Sequence, residues 1–257
     1  MTVDQRRARV FGEVADEYER IRPDYPPALV DDVLAYAGPG ATSAVEVGAG
    51  TGKATVAFAR RGVAVTAVEP DEKMAAVLAR RVADLPRVTV VSSAFEDYSP
   101  ARGHDLVFSA QAWHWTDPAV RWQRAADALA PGGALALFWN NDRPAVPATT
   151  DLILAAHRRH APHITLDTEP IDETTLATEW PGDELATLTE FDDLSQRLYR
   201  WDRPISTADY VALQSTRSSY RILDPAVRDR LFQDIEQSLD SRLTLRVDTA
   251  LYLARRR

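Results

Sequence analysis

The pattern of hydrophobic and polar residues divides the chain into two parts. In the first part, which ends near residue 140, short apolar runs alternate with amphipathic segments of helical spacing. Near-continuous apolar runs of this length are typical of parallel strands buried on both faces. The pattern predicts five such strands, at residues 44–47, 63–68, 88–91, 105–110 and 134–139. Helices are predicted between them, which favours a doubly wound α/β sheet.

Beyond residue 143 the alternation of strands and helices is less regular. The pattern predicts a helix at 151–159 and two helices at 207–214 and 225–239, capped by Ser206 and Asp224. It also predicts strands at 194–201 and 243–253 and a mainly irregular segment at 169–180. The last strand alternates apolar and polar residues, which suits an antiparallel edge. The whole chain therefore predicts seven strands, with insertions that exceed what a minimal fold of this class needs. Long insertions of this kind usually carry function.

Three glycines lie in the turn between the first predicted strand and the helix after it. Gly48, Gly50 and Gly52 accept positive φ and let the backbone approach a ligand closely. Their G-x-G-x-G spacing differs from the G-x-G-x-x-G of dinucleotide sites. Glu46 stands two residues before the first glycine, where it suits a ligand with an ammonium or sulfonium group. Glu69 ends the second strand, where an exposed carboxylate would accept hydrogen bonds from both ribose hydroxyls.

This glycine turn and its acidic neighbours resemble one large enzyme family. The E-x-G-x-G-x-G stretch, with an acidic residue ending strand two, is similar to motif I of the class I S-adenosylmethionine-dependent methyltransferases. The likeness is strongest over residues 8–140 and is nearest to the type 11 and trans-aconitate methyltransferase-like members. It implies a Rossmann-like seven-stranded sheet with an antiparallel last strand and helical cap insertions. It also implies S-adenosyl-L-methionine as methyl donor and S-adenosyl-L-homocysteine as product.

The resemblance includes the N-terminal segment, which in this family lies over the methionine end of the cofactor. The family pattern runs here from Phe11 to Pro26. It implies that Arg22 pairs with the cofactor carboxylate, and that Tyr18 and Tyr25 exclude water from the methyl group. The alternative is an amphipathic helix, predicted at 4–21, whose aromatic residues pack on the main domain.

Polar and aromatic residues follow predicted strands three and four, at the edge where ligands bind in open α/β sheets. By resemblance, the Ser93-Ala94 turn holds the adenine, although Ser93 stands where the family often has an aspartate. Phe95 either packs on the base or belongs to the core, and both interpretations stay open. After strand four, Gln111 would contact the methionine part of the cofactor.

The stretch at 113–115 also follows strand four and would border the methyl acceptor. His114 in this stretch is the predicted catalytic residue, as a general base, and an orienting role is equally compatible with its position. A polar segment at 216–221 has a composition ill-suited to a core, so we predict that it faces the acceptor as part of a cap. Arg217 and Arg221, with Arg200, would hold an acidic substrate; the alternative is that they are solvated.

The site prediction assigns residues to separate roles. The cofactor contacts are Tyr18, Arg22, Glu46, Gly48, Ala49, Gly50, Gly52, Glu69, Pro70, Met74, Ser93, Ala94, Phe95 and Gln111. The substrate contacts are Tyr25, Trp113, Trp115, Trp139, Arg217 and Arg221, and the catalytic residue is His114. No metal is predicted, because Pro162 interrupts any helical face shared by His157, His160 and His163.

Composition limits the partners. The net charge is −8, and a nucleic-acid site would need clustered Lys and Arg, so no nucleic-acid partner is predicted. The chain has no cysteine, which excludes disulfides and thiolate ligands. It shows no apolar signal core and no apolar stretch of about 18 residues, so no membrane association is predicted and the expected location is the cytoplasm. A monomer or homodimer is expected.

The predicted function is methyl transfer to a carboxylate or hydroxyl of a small-molecule metabolite or natural product. A carboxylate acceptor needs no base, whereas an alcohol does. The alternatives are C- or N-methylation of a secondary metabolite, non-catalytic cofactor binding, and a nucleotide-binding oxidoreductase. We expect a single domain over 1–257. Its parts are a lid at 1–27, a cofactor-binding core at 28–142, and strands six and seven with cap helices at 143–257.

Overall fold

The computed structural model describes residues 11–257, and within them seven strands form one sheet in the order β3-β2-β1-β4-β5-β7-β6. The strands are β1 Ser43–Val47, β2 Ala64–Val68, β3 Val88–Val91, β4 His104–Ala110, β5 Leu129–Pro144, β6 Phe191–Ser206 and β7 Arg242–Arg256. Neighbouring strands from β3 to β5 are parallel, and the last strand is antiparallel. The predicted Rossmann-like α/β class is confirmed.

The helices follow the predicted order, with two additional short helices, at Gly182–Thr187 and Ser218–Arg221, that were not predicted. They are α1 Ala15–Ile21, α2 Pro27–Ala37, α3 Lys53–Ala59, α4 Glu72–Arg81, α5 Arg121–Ala128, α6 Pro147–His160, α7 Gly182–Thr187, α8 Thr207–Ser215, α9 Ser218–Arg221 and α10 Pro225–Ser238. Of the predicted helix at 4–21, residues 4–10 lie outside the described residues, and 11–14 form a 3-10 turn before α1. The expected caps are confirmed, because Ser206 and Asp224 accept backbone N–H groups of α8 and α10.

Strand β5 is longer than the predicted 134–139. Its pairing with β4 is irregular, since Leu129 pairs with His104 and Ala134 pairs with Leu106. Between these two pairs, β5 advances by five residues while β4 advances by only two. The extra residues of β5 form a bulge that contains the Pro-Gly-Gly turn, in which Gly132 has φ +76°. The apolar pattern alone showed only the part of the strand beyond the bulge.

The chain forms two compact units. The larger unit consists of residues 23–140, 172–199 and 249–257. The smaller unit consists of the described part of 1–22 together with 141–171 and 200–248. The glycine turn lies in the larger unit, and the polar segment 216–221 lies in the smaller one.

The core of the larger unit explains the apolar strands. Phe58 of α3 stacks on Phe108 of β4 with ring centroids 4.2 Å apart, and Phe108 stacks on Phe138 of β5 at 6.3 Å. All three rings are fully buried. Because helices cover the sheet, β1, β4 and β5 are apolar on both faces rather than alternating.

The core of the smaller unit corrects one expectation. Thr216 and Tyr220 are buried, although the segment that contains them was predicted to be unsuited to a core. Tyr220 packs with Phe232, and its hydroxyl lies 2.9 Å from Nε2 of His157. Burial is tolerated because the polar atoms have partners inside the unit, and the hydroxyl of Thr216 likewise donates to the carbonyl of Leu213.

Candidate active site

All three glycines of the turn have positive φ, but they differ in the space around them. Gly48 has φ +67°, and a Cβ there would lie 2.4 Å from the Cβ of Ala112. Gly52 has φ +88°, and its Cβ would lie 2.4 Å from Leu78. Gly50 has φ +57°, but a Cβ there would meet nothing within 4 Å. The outer glycines therefore allow packing, whereas the middle one leaves open space where a ligand can approach the backbone.

Glu69 closes this turn from the end of β2. Its Oε2 accepts the N–H of Gly50 at 2.7 Å, and its Oε1 accepts the N–H of Asp71 at 2.9 Å. Only 6% of the residue is exposed, which contradicts the expectation of an exposed strand end. Burial raises the pKa of Glu69 to about 6, although these two hydrogen bonds act to lower the pKa. A carboxylate has about four acceptor positions, so two remain, as the predicted contact with the ribose hydroxyls requires.

Glu46 lies inside β1 and is 1% exposed. It accepts a hydrogen bond from the hydroxyl of Thr55 on α3. Burial raises the pKa of Glu46 to about 8, and the charge of Glu69 adds to the rise. The carboxyl is therefore largely protonated near neutral pH in the free protein, and a nearby cofactor cation would favour its ionised form.

The raised pKa of Glu46 gives a pH dependence of stability. Above pH 4.5 the unfolded chain releases this proton while the folded protein keeps it up to about pH 8, so the free energy of unfolding falls as pH rises across that window. Glu46→Gln removes this titration. We expect the melting temperature of the ligand-free variant to fall less than that of the unmodified protein as the pH rises through this window.

The matched control for this measurement is Glu236→Gln, a change at an exposed position of α10. It should leave the pH dependence of the melting temperature unaltered. Glu69 contributes to the pH dependence in the same direction in the unmodified protein and in both variants. The difference in the slope of melting temperature against pH therefore reports on Glu46 alone. Parallel slopes for Glu46→Gln and the unmodified protein would contradict the prediction.

The end of β4 meets the glycine turn through Ala112, which touches Gly48. Gln111 just before it has φ +64°, an uncommon conformation for a non-glycine residue that is often found at functional sites. Its backbone N–H donates to the carbonyl of Phe138, and its side-chain amide donates to the carbonyl of Asn140 at 3.0 Å. These bonds hold the β4 and β5 ends together beside the turn, where Gln111 was predicted to contact the cofactor.

An aromatic cluster surrounds His114 in the larger unit. The indole N–H of Trp139 donates to Nδ1 of His114 at 3.3 Å, and the ring of Trp115 lies 4.6 Å from the imidazole. Trp139 also contacts Trp180 at 5.3 Å and Tyr252 at 6.0 Å. Sequence reasoning missed these last two residues. The only signal for Trp180 was a large aromatic residue in a segment predicted to be irregular.

Two other predicted aromatic residues are core residues in the structure. Trp113 is fully buried and packs against Phe95 at 6.0 Å and Trp122 at 5.1 Å. The prediction that Trp113 contacts the acceptor is wrong, because its ring presents no surface to a bound molecule. Phe95 is 3% exposed, which favours the core interpretation for its side chain.

The remaining predicted cofactor residues of the larger unit lie around the same turn. Ala49 is part of the turn, and Pro70 follows Glu69 directly. Met74 is buried on α4, one turn after the Asp71 cap. The hydroxyl of Ser93 donates to the carbonyl of Ala94 at 2.9 Å, so the expected adenine turn is held by its own side chain.

The N-terminal residues divide between the units. Tyr25 belongs to the larger unit, where its ring packs edge-on against Phe138 at 4.8 Å. Arg22 belongs to the smaller unit and lies 5.0 Å from the ring of Tyr18. Its Nε donates to the hydroxyl of Thr216 at 2.9 Å and its Nη2 to the carbonyl of the same residue at 3.2 Å. Its predicted pairing with the cofactor carboxylate stays a prediction.

The three arginines expected to hold an acid each have an acidic partner. Arg217 pairs with Asp142 at 2.5 Å, Arg221 pairs with Glu13, and Arg200 lies 3.7 Å from Asp248. Their positive charges are therefore compensated, although the Arg200 side chain is about half exposed to solvent.

Residues 11–257 contain no group of three or more His, Asp or Glu side chains arranged to hold a metal ion. No helix in that range is both long and apolar enough to cross a membrane.

Comparison with known proteins agrees with this geometry. Residues 44–133 match the model of a methyltransferase domain family. An uncharacterised methyltransferase of Mycobacterium tuberculosis is 33% identical over 230 residues, which cover 89% of this chain and 85% of the relative.

Solved structures share the fold at lower identity. A candidate type II methyltransferase of Anaeromyxobacter dehalogenans aligns with TM-score 0.62 and 21% identity, over 91% of this chain and 97% of that chain. Phosphoethanolamine N-methyltransferase 2 of Haemonchus contortus, solved with S-adenosyl-L-methionine, aligns with TM-score 0.54 and 18% identity, over all of this chain and 60% of that chain.

The sheet order and the glycine turn define a class I methyltransferase fold. The chain belongs to the S-adenosylmethionine-dependent methyltransferases, and S-adenosyl-L-methionine is its methyl donor.

Proposed function

We propose that the protein transfers the methyl group of S-adenosyl-L-methionine to a carboxylate or hydroxyl oxygen of a small metabolite or natural product. The observation that carries this proposal is a cavity of about 100 Å³ in the smaller unit. Residues of β5, α6, α8 and α9 and of the segment 164–169 line it. A concave site of this size, lined by both polar and apolar side chains, suits a small molecule rather than a macromolecular surface.

The residues near the glycine turn support the cofactor part of the proposal. The open space at Gly50 accepts a close ligand, and Glu69 keeps acceptor positions for ribose. The cofactor supplies an activated sulfonium methyl group. The protein has to align the acceptor oxygen with it and exclude water. Gln111 and the aromatic residues Trp115 and Trp139 are proposed to do this in the larger unit.

His114 is proposed to contact the acceptor, and its hydrogen bond limits its role. Nδ1 accepts the indole N–H of Trp139, so the neutral imidazole carries its proton on Nε2. In this tautomer Nε2 donates and therefore orients an acceptor oxygen. Removing a proton from an alcohol would require Nδ1, and hence release of the Trp139 contact. A carboxylate or an ionised phenol needs no such step.

The test is methyl transfer from isotopically labelled cofactor to a panel of acids, phenols, alcohols and amines. We expect label in an oxygen-methylated product. Mild base then separates the two classes, because a methyl ester releases labelled methanol and a methyl ether does not. Label found only on nitrogen or carbon would replace this proposal with the alternative of N- or C-methylation. The Gly50→Ala variant, which is expected to bind the cofactor only weakly, serves as the low-activity control.

A further inference from the structure

Two buried polar atoms at the cavity of the smaller unit have no hydrogen-bond partner within residues 11–257. Asp142 and Arg217 both line this cavity. Oδ1 of Asp142 accepts Nη2 of Arg217 at 2.5 Å, which leaves Oδ2 of Asp142 and Nε of Arg217 buried and unpaired. The Asp142 side chain is only 6% exposed. A buried polar atom without a partner carries the full cost of its lost hydration, so these atoms mark a place built for a polar group.

The unpaired atoms are complementary to each other. Oδ2 of Asp142 accepts a hydrogen bond, and Nε of Arg217 donates one. The ion pair that carries them has no net charge. A ligand carboxylate would meet the buried carboxylate of Asp142, with little solvent screening. An ammonium group would meet the guanidinium of Arg217, whose side chain is 33% exposed, so solvent weakens this second repulsion in part. A hydroxyl satisfies both atoms, because it donates to one and accepts from the other.

The other charged residues of the cavity do not change the preference for a neutral ligand. Arg143 is already paired with the buried carboxylate of Asp248 at 2.7 Å. Asp167 and Glu169 are exposed, so solvent screens them, and their sign further disfavours an anion.

Tyr220 adds a third fixed group to the cavity wall. Nδ1 of His157 lies 2.8 Å from the carbonyl of Ile153, which can only accept, so Nδ1 carries the proton. Nε2 then accepts the hydroxyl hydrogen of Tyr220. Burial lowers the pKa of His157 and raises the pKa of Tyr220 to about 12, which keeps both groups neutral. With its hydrogen committed, the Tyr220 oxygen can only accept from another group.

We propose that this cavity binds an uncharged, hydroxyl-bearing group, an alcohol or a phenol, through Oδ2 of Asp142 and Nε of Arg217. The inference rests on the proposed function for the identity of the ligand as the methyl acceptor. The inference narrows the proposed class of methyl acceptor. Instead of either a carboxylate or a hydroxyl compound, it is a molecule that the cavity recognises by its hydroxyl group.

The test compares three fragments of similar shape, namely benzyl alcohol, benzoate and benzylammonium. Near neutral pH the second is an anion and the third a cation. Each is titrated by ligand-observed NMR into the full chain saturated with S-adenosyl-L-homocysteine. We expect benzyl alcohol to bind about tenfold or more tightly than either ion. Benzoate or benzylammonium binding as tightly as the alcohol would overturn the inference, and this ranking needs no variant.

Two substitutions then test whether the ion pair sets the ranking. Asp142→Asn leaves the guanidinium uncompensated, so benzoate should gain about tenfold relative to benzyl alcohol. Arg217→Gln leaves the carboxylate uncompensated, so benzylammonium should gain by a similar factor. The matched controls are Asp202→Asn and Arg246→Gln, at an ion pair of the same unit that is about half exposed on both sides and does not line the cavity. Unchanged ratios in folded cavity variants would overturn the inference.

The binding measurement does not depend on methyl transfer, so the two proposals fail separately. The expected fragment ranking in a protein that methylates no oxygen would overturn the proposed function and support the cavity assignment. If the protein methylates oxygen but neither Asp142→Asn nor Arg217→Gln changes the ranking of fragment affinities, the inference about the cavity is overturned and the proposed function stands.

Discussion

Gly50→Ala is expected to weaken S-adenosyl-L-homocysteine binding by at least about 100-fold, or about 2.8 kcal/mol, in a protein that still folds. A Cβ at this position meets no protein atom within 4 Å, so the substitution creates no clash in the free protein. The methyl group instead enters the open space at the turn, where the backbone is predicted to approach the cofactor. The φ of +57° adds strain of about 1 kcal/mol for any residue with a Cβ.

Gly62→Ala is the matched control for this prediction. Gly62 has φ +88° and equally open surroundings, but it lies in the turn between α3 and β2. Both variants should lose a similar amount of melting temperature, while only Gly50→Ala loses affinity in a calorimetric titration. Equal affinities in the two variants would show that the cofactor does not approach the backbone at Gly50.

The parts of the fold that sequence predicted well depend on local patterns. Strand β3 has the predicted bounds, because a run of four β-branched residues between Arg87 and Ser92 is typical of a strand and leaves little choice. The caps of α8 and α10 are local as well, since the side chain and its N–H acceptors lie within three residues. The bulge in β5 was not predicted, because a Pro-Gly-Gly turn reads as a strand boundary unless the partner strand is known.

The partners of site residues could not be predicted, because they are distant in sequence. Arg217 and Asp142 are 75 residues apart, and Trp139 and His114 are 25 apart. The sequence identified Arg217 as a candidate site residue but gave no sign of the carboxylate that compensates it. That carboxylate changes the expected ligand from an acid to a neutral hydroxyl compound.

Burial of aromatic residues was misjudged for a related reason. Trp113 follows a strand at its carboxyl end, where ligands bind, yet its ring turns into the core between Phe95 and Trp122. Backbone position places a residue near a site, but side-chain direction depends on the packing of distant elements. The exposed His114, one residue later, remains beside the predicted acceptor surface of the larger unit.

Glu69→Ala is expected to reduce S-adenosyl-L-homocysteine affinity by at least about 100-fold, because two charge-assisted hydrogen bonds to ribose would be lost at about 1.5–3 kcal/mol each. The substitution also removes the acceptor of the Gly50 and Asp71 N–H groups, so it should lower the melting temperature. The loss of affinity therefore needs to be separated from the loss of structure.

Asp105→Ala provides that separation. Asp105 also belongs to the larger unit and accepts two backbone N–H groups, of Thr42 and Ser43, at 2.9 Å each. It lies at the amino end of β4, opposite the strand ends where ligands bind in parallel sheets. Asp105→Ala should lower the melting temperature by a comparable amount and leave cofactor affinity nearly intact.

The pKa of Glu69 adds a second signature, which a purely structural role would not produce. Because the ionised carboxylate is predicted to accept the ribose hydroxyls, protonation below about pH 6 should weaken cofactor binding in the unmodified protein. In Glu69→Gln the affinity should already be low and should lose this dependence around pH 6. If Glu69→Ala and Asp105→Ala reduced affinity equally, or if the pH dependence persisted in Glu69→Gln, the ribose would have to bind elsewhere in the site.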